Sequence, residues 1–387
     1  MKIAITTPTN WPRVQRGGER AANELAAELA TRGHLVSIVS GAPGPGTEET
    51  SGGVRTIHVR RWWHPLMGRF GLLEFHMFFF PLLFQLLRRK YDVVLCLTFM
   101  DAFAAEMARR FTKTPVILWL NGLPPRRQYI RSLSLKGAVF GFAVRHADEV
   151  IAVSGYVEDY LERRWPREYI LLAPGVDTKR IRAKEHPVPD PPLILCAAAL
   201  DDARKGGQVL MGAFNRLKGK RPLARLLLAT RIQPERLEGL MALVKPDYRG
   251  DIEFASHSAE EMAELYRKAT VTVLPSMSEP FGMVVIESLA AGTPVVCTRD
   301  GALPELITPE VGHLFDPGID AEIEPTNSEG LADALDQCID LAASPQTIRA
   351  CRERGLQYSW TSLGDRYEEL CGRTAGNLQQ QEALAEQ

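Results

Sequence analysis

Short apolar runs alternating with helix-period segments constrain this chain more than any other feature. "KIAIT" at 2–6 is followed by a loop and then by "GGERAANELAAELATRGH" at 17–34. There Ala22, Leu25, Ala26 and Leu29 recur at i, i+3, i+4 and i+7, and Gly33 suits a helix C-cap. "LVSIVS" completes a βαβ unit. "YDVVLCLT", "PVILWL", "EVIAVS" and "YILLAPG" continue the series. A continuous apolar run, rather than an alternating one, marks a strand covered on both faces, which is the condition of a parallel sheet between helices. A second series, "LILCAAA", "ARLLLAT", "DIEFAS", "VTVLPS" and "PVVCTR", begins after residue 192. Between the two lies "TKRIRAKEHPVPDPP", charged and proline-rich without apolar period, which reads as a linker over 178–192. The fold expected is α/β: two doubly wound domains, 1–177 and 193–358, facing each other across a cleft. A last helix over 359–376 is expected to pack back on the first domain. At 387 residues the chain is long enough for two cores.

Composition narrows the function. The formal net charge is -1, which does not suit a nucleic-acid binder. Residues 1–177 carry 23 Lys+Arg against 16 Asp+Glu, a balance of +7, and the remainder carry 23 against 31, a balance of -8. The first half is therefore drawn to anionic partners. Cys96, Cys196, Cys297, Cys338, Cys351 and Cys371 form no C-x-x-C pair and read as reduced, buried thiols of a cytoplasmic protein. "KIAIT" follows Met1 directly, and no signal peptide is expected. The segment "GLLEFHMFFFPLLFQLL" at 71–87 is interrupted by Glu74, His76, Pro81 and Gln85 and is too short to span a bilayer. It reads either as a helix pair half-buried in its own domain or, with Arg60, Arg61, Arg69, Arg88, Arg89 and Lys90 around it, as a surface resting on an anionic membrane at the inner face of the plasma membrane.

The chemistry concentrates in "SMSEPFGMVVIESLAAGTPVV" at 276–296. Strand "VTVLP" leads into a loop and then a helix from about Phe281 to Ala291, so Gly282 falls in the first turn, where unpaired N–H groups and the macrodipole favour a phosphate. Glu287 lies one turn beyond Met283 on the same side, where a carboxylate can accept hydrogen bonds from a vicinal diol such as a ribose. Glu279 precedes the helix, within reach of whatever the phosphate carries. A solvated Glu287 and a merely dipole-complementing Glu279 are the plain alternatives. In "DDARKGGQVLMGAF", Arg204 and Lys205 stand beside a helix opened by Gly206 and Gly207, a second place to hold a diphosphate. Asp201 and Asp202 read as solvated. Gly17 and Gly18 let the backbone of the first loop approach a ligand closely. No G-x-G-x-x-G follows a strand there, which removes most support for a dinucleotide-dependent dehydrogenase.

Glu279, Pro280, Phe281, Gly282 and Glu287, with "AAGTPVV", "ALPELI", "VSGYVEDYL", "PGVD", "RKGG" and "YSW", resemble the signature of the retaining, nucleotide-sugar-dependent glycosyltransferases of group 1 (family 4), which have the GT-B fold of two Rossmann-like domains. The resemblance implies a nucleoside diphosphate sugar as donor, bound mainly by the second domain, and no metal or other cofactor. It assigns the diphosphate to Lys205, a nearby arginine and the amides of Gly282, Met283 and Val284, counts Phe281 among the donor-binding residues, and gives the ribose to Glu287 and the transferred sugar to Glu279. Gly17 and Gly18 would approach the sugar phosphate. Asn121 stands where many members have a donor-contacting histidine, and Ala198, Ala199 and Leu200 replace the usual glycine–arginine pair, with Arg204 as the candidate substitute. The acceptor would be a glycan, a polyol or a lipid-linked hydroxyl compound. The alternative is a catalytically silent member that binds a nucleotide sugar or a partner protein.

Overall fold

The computed structural model describes residues 1–10, 16–42, 44, 46–60, 78–123, 135–188, 190–230, 232–318 and 324–385. It forms two compact units, Met1–Gly175 with Trp360–Gln387, and Val176–Ser359. Residues 71–77 of the aromatic-rich stretch lie outside the described residues.

In the first unit the strands are β1 (Lys2–Thr7), β2 (Leu35–Ala42), β3 (Thr47–Ser51), β4 (Val54–Arg60), β5 (Val93–Cys96), β6 (Val116–Leu120), β7 (Glu149–Ala152) and β8 (Ile170–Leu171). They pair in the order β3-β4-β2-β1-β5-β6-β7-β8, parallel throughout except for the β3/β4 hairpin at one edge. "YILLAPG" yields only the two-residue β8, because the chain turns away at Pro174. The helices are α1 (Gly17–Thr31), α2 (Phe79–Arg88), α3 (Phe99–Thr112), α4 (Leu135–His146), α5 (Gly155–Glu162) and α13 (Trp360–Ala385), the last counted in order along the whole chain. α1 buries Ala22, Leu25, Ala26 and Leu29, the four positions its period marks. α13 joins this unit through Trp360, whose indole N–H donates to Glu24 at 2.8 Å, and Tyr367, which meets Trp119 edge-on at 5.4 Å. Glu368 adds bonds to Arg32 at 3.1 Å and His34 at 2.9 Å.

In the second unit β9 (Leu193–Cys196), β10 (Arg225–Leu228), β11 (Ile252–Phe254), β12 (Val271–Leu274), β13 (Val295–Thr298) and β14 (Gly312–Phe315) pair in the all-parallel order β11-β10-β9-β12-β13-β14. Its helices are α6 (Gly207–Lys220), α7 (Pro234–Ala242), α8 (Ala259–Lys268), α9 (Met283–Ala290), α10 (Leu303–Leu306), α11 (Ser328–Ala342) and α12 (Pro345–Leu356). The segment read as a linker is part of this unit's packing. Ile181 is fully buried, the Arg180 guanidinium donates to the Ala259 carbonyl at 2.9 Å, and the Lys184 ammonium donates to the Ala269 carbonyl at 2.7 Å. Long stems carry these cations over apolar surface to carbonyls, an arrangement that composition alone does not show. Burial also draws the Lys184 pKa down to about 8.

All six cysteines are free and buried. One buried carboxyl of the first unit makes stability depend on pH. Asp101 in α3 is 1% exposed, and neither of its carboxylate oxygens has a hydrogen-bond partner among the described residues. Burial, opposed more weakly by Thr98 and Thr6, raises its pKa to about 7. Between about pH 4 and 7 the folded protein holds a proton that the unfolded chain has lost, so stability falls as pH rises through that window. Asp101→Asn is expected to flatten this slope and to raise the melting temperature at pH 8 above that of the unmodified protein, with little change near pH 4. The effect at pH 8 is about 4 kcal/mol at most, since the rise from 3.8 to about 7 is roughly three pKa units and each is worth about 1.4 kcal/mol. Thermal denaturation across the pH range checks it.

Candidate active site

The order of the second sheet reverses between its neighbouring strands β9 and β12. From β9 the chain proceeds outward through β10 and β11, and from β12 it proceeds the other way through β13 and β14. Loops leaving the carboxyl ends of two such strands diverge and open a crevice for ligands. Lys205 sits on the loop after β9 and Glu279 on the loop after β12, and their side chains form an ion pair.

Each loop is held by its own polar contacts. Asp202 caps a short 3-10 turn, Ala203–Lys205, by accepting the Arg204 N–H at 3.0 Å, and Asp201 accepts the Gln233 N–H at 2.9 Å. Asp201 is exposed and Asp202 half-exposed, and each also accepts a main-chain N–H that shapes the loop. Arg204 departs from expectation. Its guanidinium folds back onto Asp202 with bonds of 2.6 and 3.1 Å, so in this structure it neutralises a carboxylate of its own loop rather than presenting a charge for a diphosphate. Burial alone would raise the Asp202 carboxyl, but hydrogen bonds from the Arg204 side chain and main chain outweigh it and hold the pKa below the usual range. Lys205 is thus the cation that this turn points at Glu279. The carbonyl of Arg204 also accepts the Met277 N–H at 2.7 Å, which fastens the two loops together. Gly206 makes the closure feasible. Its φ is 70°, and a Cβ there would lie 2.2 Å from the Pro275 carbonyl oxygen.

Around Glu279, the Ser278 N–H donates to the Asp300 carboxylate and the Glu279 carbonyl accepts the Ala302 N–H at 2.9 Å. The "DGALPEL" stretch therefore acts as the backing of the glutamate. α9 starts two residues later than expected, at Met283, with Gly282 as a left-handed N-cap at φ 119°. The Val285 N–H closes onto the Gly282 carbonyl at 2.9 Å, while the N–H groups of Gly282, Met283 and Val284 have no acceptor among the described residues. They make the positive tip that the sequence called for. Phe281 corrects another expectation, because its ring is 5% exposed and packs edge-on against Tyr358 at 5.6 Å. It anchors the helix tip, leaving only its main chain for a ligand. Glu287 is 1% exposed and accepts the Tyr266 hydroxyl at 2.8 Å, which excludes the solvated alternative.

In the first unit Gly17 opens α1, and a Cβ on Gly18 would sit 3.4 Å from the Asn121 Cβ, so the glycine loop and Asn121 are brought together. Beside them lies a polar group not singled out in the sequence. The Thr9 hydroxyl donates to Glu19 at 2.7 Å, and the Asn23 amide donates to Asn10 at 2.7 Å and to the Glu19 carbonyl at 2.8 Å. The available signal was an acidic residue directly after Gly17 and Gly18, in the first turn of an otherwise amphipathic helix.

Residues 15–180 match the family model described as Glycosyltransferase Family 4, and residues 191–340 match the one described as Glycosyl transferases group 1. The chain belongs to the group 1, family 4 glycosyltransferases. Within the family, a stretch of 227 residues is 30% identical to an MMP alpha-(1->4)-mannosyltransferase of Mycolicibacterium hassiacum, covering 54% of this chain and 50% of that protein. The chain spans about half or less of the length of the first curated relatives it matches. Among solved structures, a sucrose-phosphate synthase of Thermosynechococcus elongatus aligns with a TM-score of 0.79 at 23% identity, covering 96% of this chain and 98% of that one. HepE of Anabaena in complex with UDP-glucose aligns with a TM-score of 0.72 at 16% identity, covering 96% and 100%. These likenesses establish the fold: two parallel-sheet α/β domains of the GT-B class. This group 1 glycosyltransferase departs from its family's signature at Ala199 and Asn121, and the Asp202–Arg204 pair means that Arg204 does not supply the missing cation in the geometry seen here.

Proposed function

We propose that this protein transfers a sugar from a nucleoside diphosphate to a hydroxyl acceptor with retention of anomeric configuration and without a metal. The single observation that carries this reading is the crevice between β9 and β12, where the unpaired N–H groups of Gly282, Met283 and Val284, the Lys205 ammonium and the Glu279 carboxylate belong to two fastened loops. Donors of opposite charge to a diphosphate and an acceptor for sugar hydroxyls are thereby preorganised. Glu287 takes the ribose diol, with Tyr266 fixing one carboxylate oxygen. Gly17 and Gly18 leave their backbone open to the donor's sugar phosphate, and Asn121 offers a hydrogen bond to the transferred sugar.

In the reaction the bond from the anomeric carbon to the diphosphate oxygen breaks and a bond to the acceptor oxygen forms on the same face. The acceptor's proton passes to the departing phosphate oxygen. Charge builds on the diphosphate as its bond breaks, so Lys205 and the helix amides contribute most where that charge is greatest. They supply the stabilisation for which other transferases use a divalent cation. The acceptor is a glycan, a polyol or a lipid-linked hydroxyl compound.

The mannosyltransferase relative and the structure solved with UDP-glucose support this class of chemistry without naming this protein's donor. A thermal-shift screen of nucleoside diphosphate sugars tests the reading. A true donor at about a hundred times its Kd adds roughly 2.7 kcal/mol and raises the melting temperature by several degrees. The shift is expected to disappear in Glu287→Ala, and a full shift in that variant would remove the ribose assignment. The engagement of Arg204 by Asp202 favours one rival, a silent member that binds donor without turnover. Release of nucleoside diphosphate that rises with acceptor concentration decides for the enzyme.

A further inference from the structure

α2 is apolar on both sides. Leu82 and Leu86 are buried against the first unit, at 0% and 3% exposure, as a helix packed on a sheet requires. The outward positions should then be polar, yet Phe80, Phe84 and Leu87, at i, i+4 and i+7, are 55%, 58% and 42% exposed. They form one continuous stripe along the helix. The stripe borders a groove of about 780 Å³ whose other wall is the β3/β4 hairpin at the sheet edge, with Ile57 and Val59 at its base. Water meets hydrocarbon over most of this surface, and such patches on a folded chain mark a surface that something else covers.

The rim identifies what covers it. Arg88 and Lys90 at the end of α2 and Arg60 at the end of β4 are exposed and have no carboxylate partner among the described residues. The Arg88 guanidinium lies over the Phe84 ring at 4.6 Å, so charge and stripe share one edge. Arg89 bonds to Glu48 at 2.8 Å, and Glu48 also pairs with Arg55, so the carboxylate nearest the groove is neutralised. Of the side chains a soluble glycan could use along the groove, Glu48 and Arg89 are already paired with each other and His58 is bonded to Ser40. A protein partner would have to bring a complementary acidic apolar face. A sheet of anionic headgroups above acyl chains matches the rim and the stripe together, and the +7 balance of residues 1–177 adds long-range attraction. No helix among the described residues is long and apolar enough to cross a membrane, so contact would be interfacial.

We infer that the α2 stripe and the groove beside it form a docking surface for an anionic phospholipid bilayer, with Phe80, Phe84 and Leu87 among the acyl chains and Arg60, Arg88 and Lys90 on the headgroups. The docking surface stands on its own observations, whereas its consequence, that the acceptor is lipid-linked, rests on the transferase reading above. Flotation of the full chain tests it, with vesicles of phosphatidylglycerol and phosphatidylcholine in equal parts against phosphatidylcholine alone. The protein is expected to float with the anionic vesicles at low salt and to be released at high salt. The double substitution Phe80→Ser with Phe84→Ser is expected to weaken partition by at least about tenfold, and Arg88→Ser or Lys90→Ser by about fivefold each. Melting temperature and the donor-induced shift should stay unchanged in all of these, because the residues are exposed and remote in sequence from the donor loops. The inference is overturned by failure of the wild-type chain to float with anionic vesicles, by equal flotation with neutral ones, by undiminished flotation of the phenylalanine double variant, or by a Phe80- and Phe84-dependent dimer in sedimentation equilibrium. Any of these with the donor shift intact leaves the transferase reading standing.

Discussion

Replacing Lys205 with alanine is expected to lower kcat/KM for sugar transfer by about 10²–10³, the usual loss when one preorganised donor to a developing negative charge is removed. The reason lies in how few cations this site has. Arg204, one residue earlier, spends its guanidinium on Asp202, and Ala199 stands where the family signature commonly has arginine. On the proposed reading, Lys205 would carry the side-chain charge for the diphosphate with the helix amides beside it. Its partner Glu279, with a side chain 12% exposed, loses its ion pair in the variant, so a fall in stability of about 1 kcal/mol is expected as well. Because the two side chains work as a unit, the double variant Lys205→Ala with Glu279→Ala should be scarcely slower than the worse of the two singles. Steady-state kinetics on the three variants check this. Simple additivity would mean that the pair seen here does not form part of the reacting arrangement.

The largest effect on stability is expected from Gly206→Ala. A left-handed φ of 70° costs a non-glycine residue about 1–2 kcal/mol. The new methyl would also meet the Pro275 carbonyl oxygen at 2.2 Å, an overlap with main chain that no rotamer change relieves. A loss of about 3 kcal/mol or more is expected on chemical denaturation, together with loss of transfer, since the strain acts on the contact between the Lys205 and Glu279 loops. Gly207→Ala is the control. Its methyl would meet Leu240 Cδ2 at 3.0 Å, the flexible end of a side chain, and a change below about 1 kcal/mol is expected. Equal tolerance of both alanines would contradict the account of the loop.

Most of the fold was legible because buried parallel strands write themselves as unbroken apolar runs, and β1, β5, β6, β9, β12 and β13 all fall where such runs predict them. The boundaries were less legible. Residues 178–192 look like a linker because their burial depends on distant carbonyls, those of Ala259 and Ala269, which no local pattern records. The site shows the same division. Gly282 and the helix tip follow from local rules of helix initiation, whereas the Lys205–Glu279 pair joins residues 74 apart in sequence, and the direction of Arg204 depends on which carboxylate lies nearer. Phe281 belongs to the signature stretch but serves packing, because a ring beside an apolar helix finds a core partner in Tyr358. The polar group of Thr9, Asn10, Glu19 and Asn23 escaped notice because its members come from two elements and no motif joins them.

The central claim is that the N-terminus of α9 and Lys205 grip a pyrophosphate. A crystal of the protein with bound donor tests it most directly. The account predicts diphosphate oxygens within about 3 Å of the Lys205 ammonium and of main-chain N–H groups between Gly282 and Val284, the ordinary reach of such bonds. A donor bound with its phosphates elsewhere, and Lys205 still closed on Glu279, would contradict it.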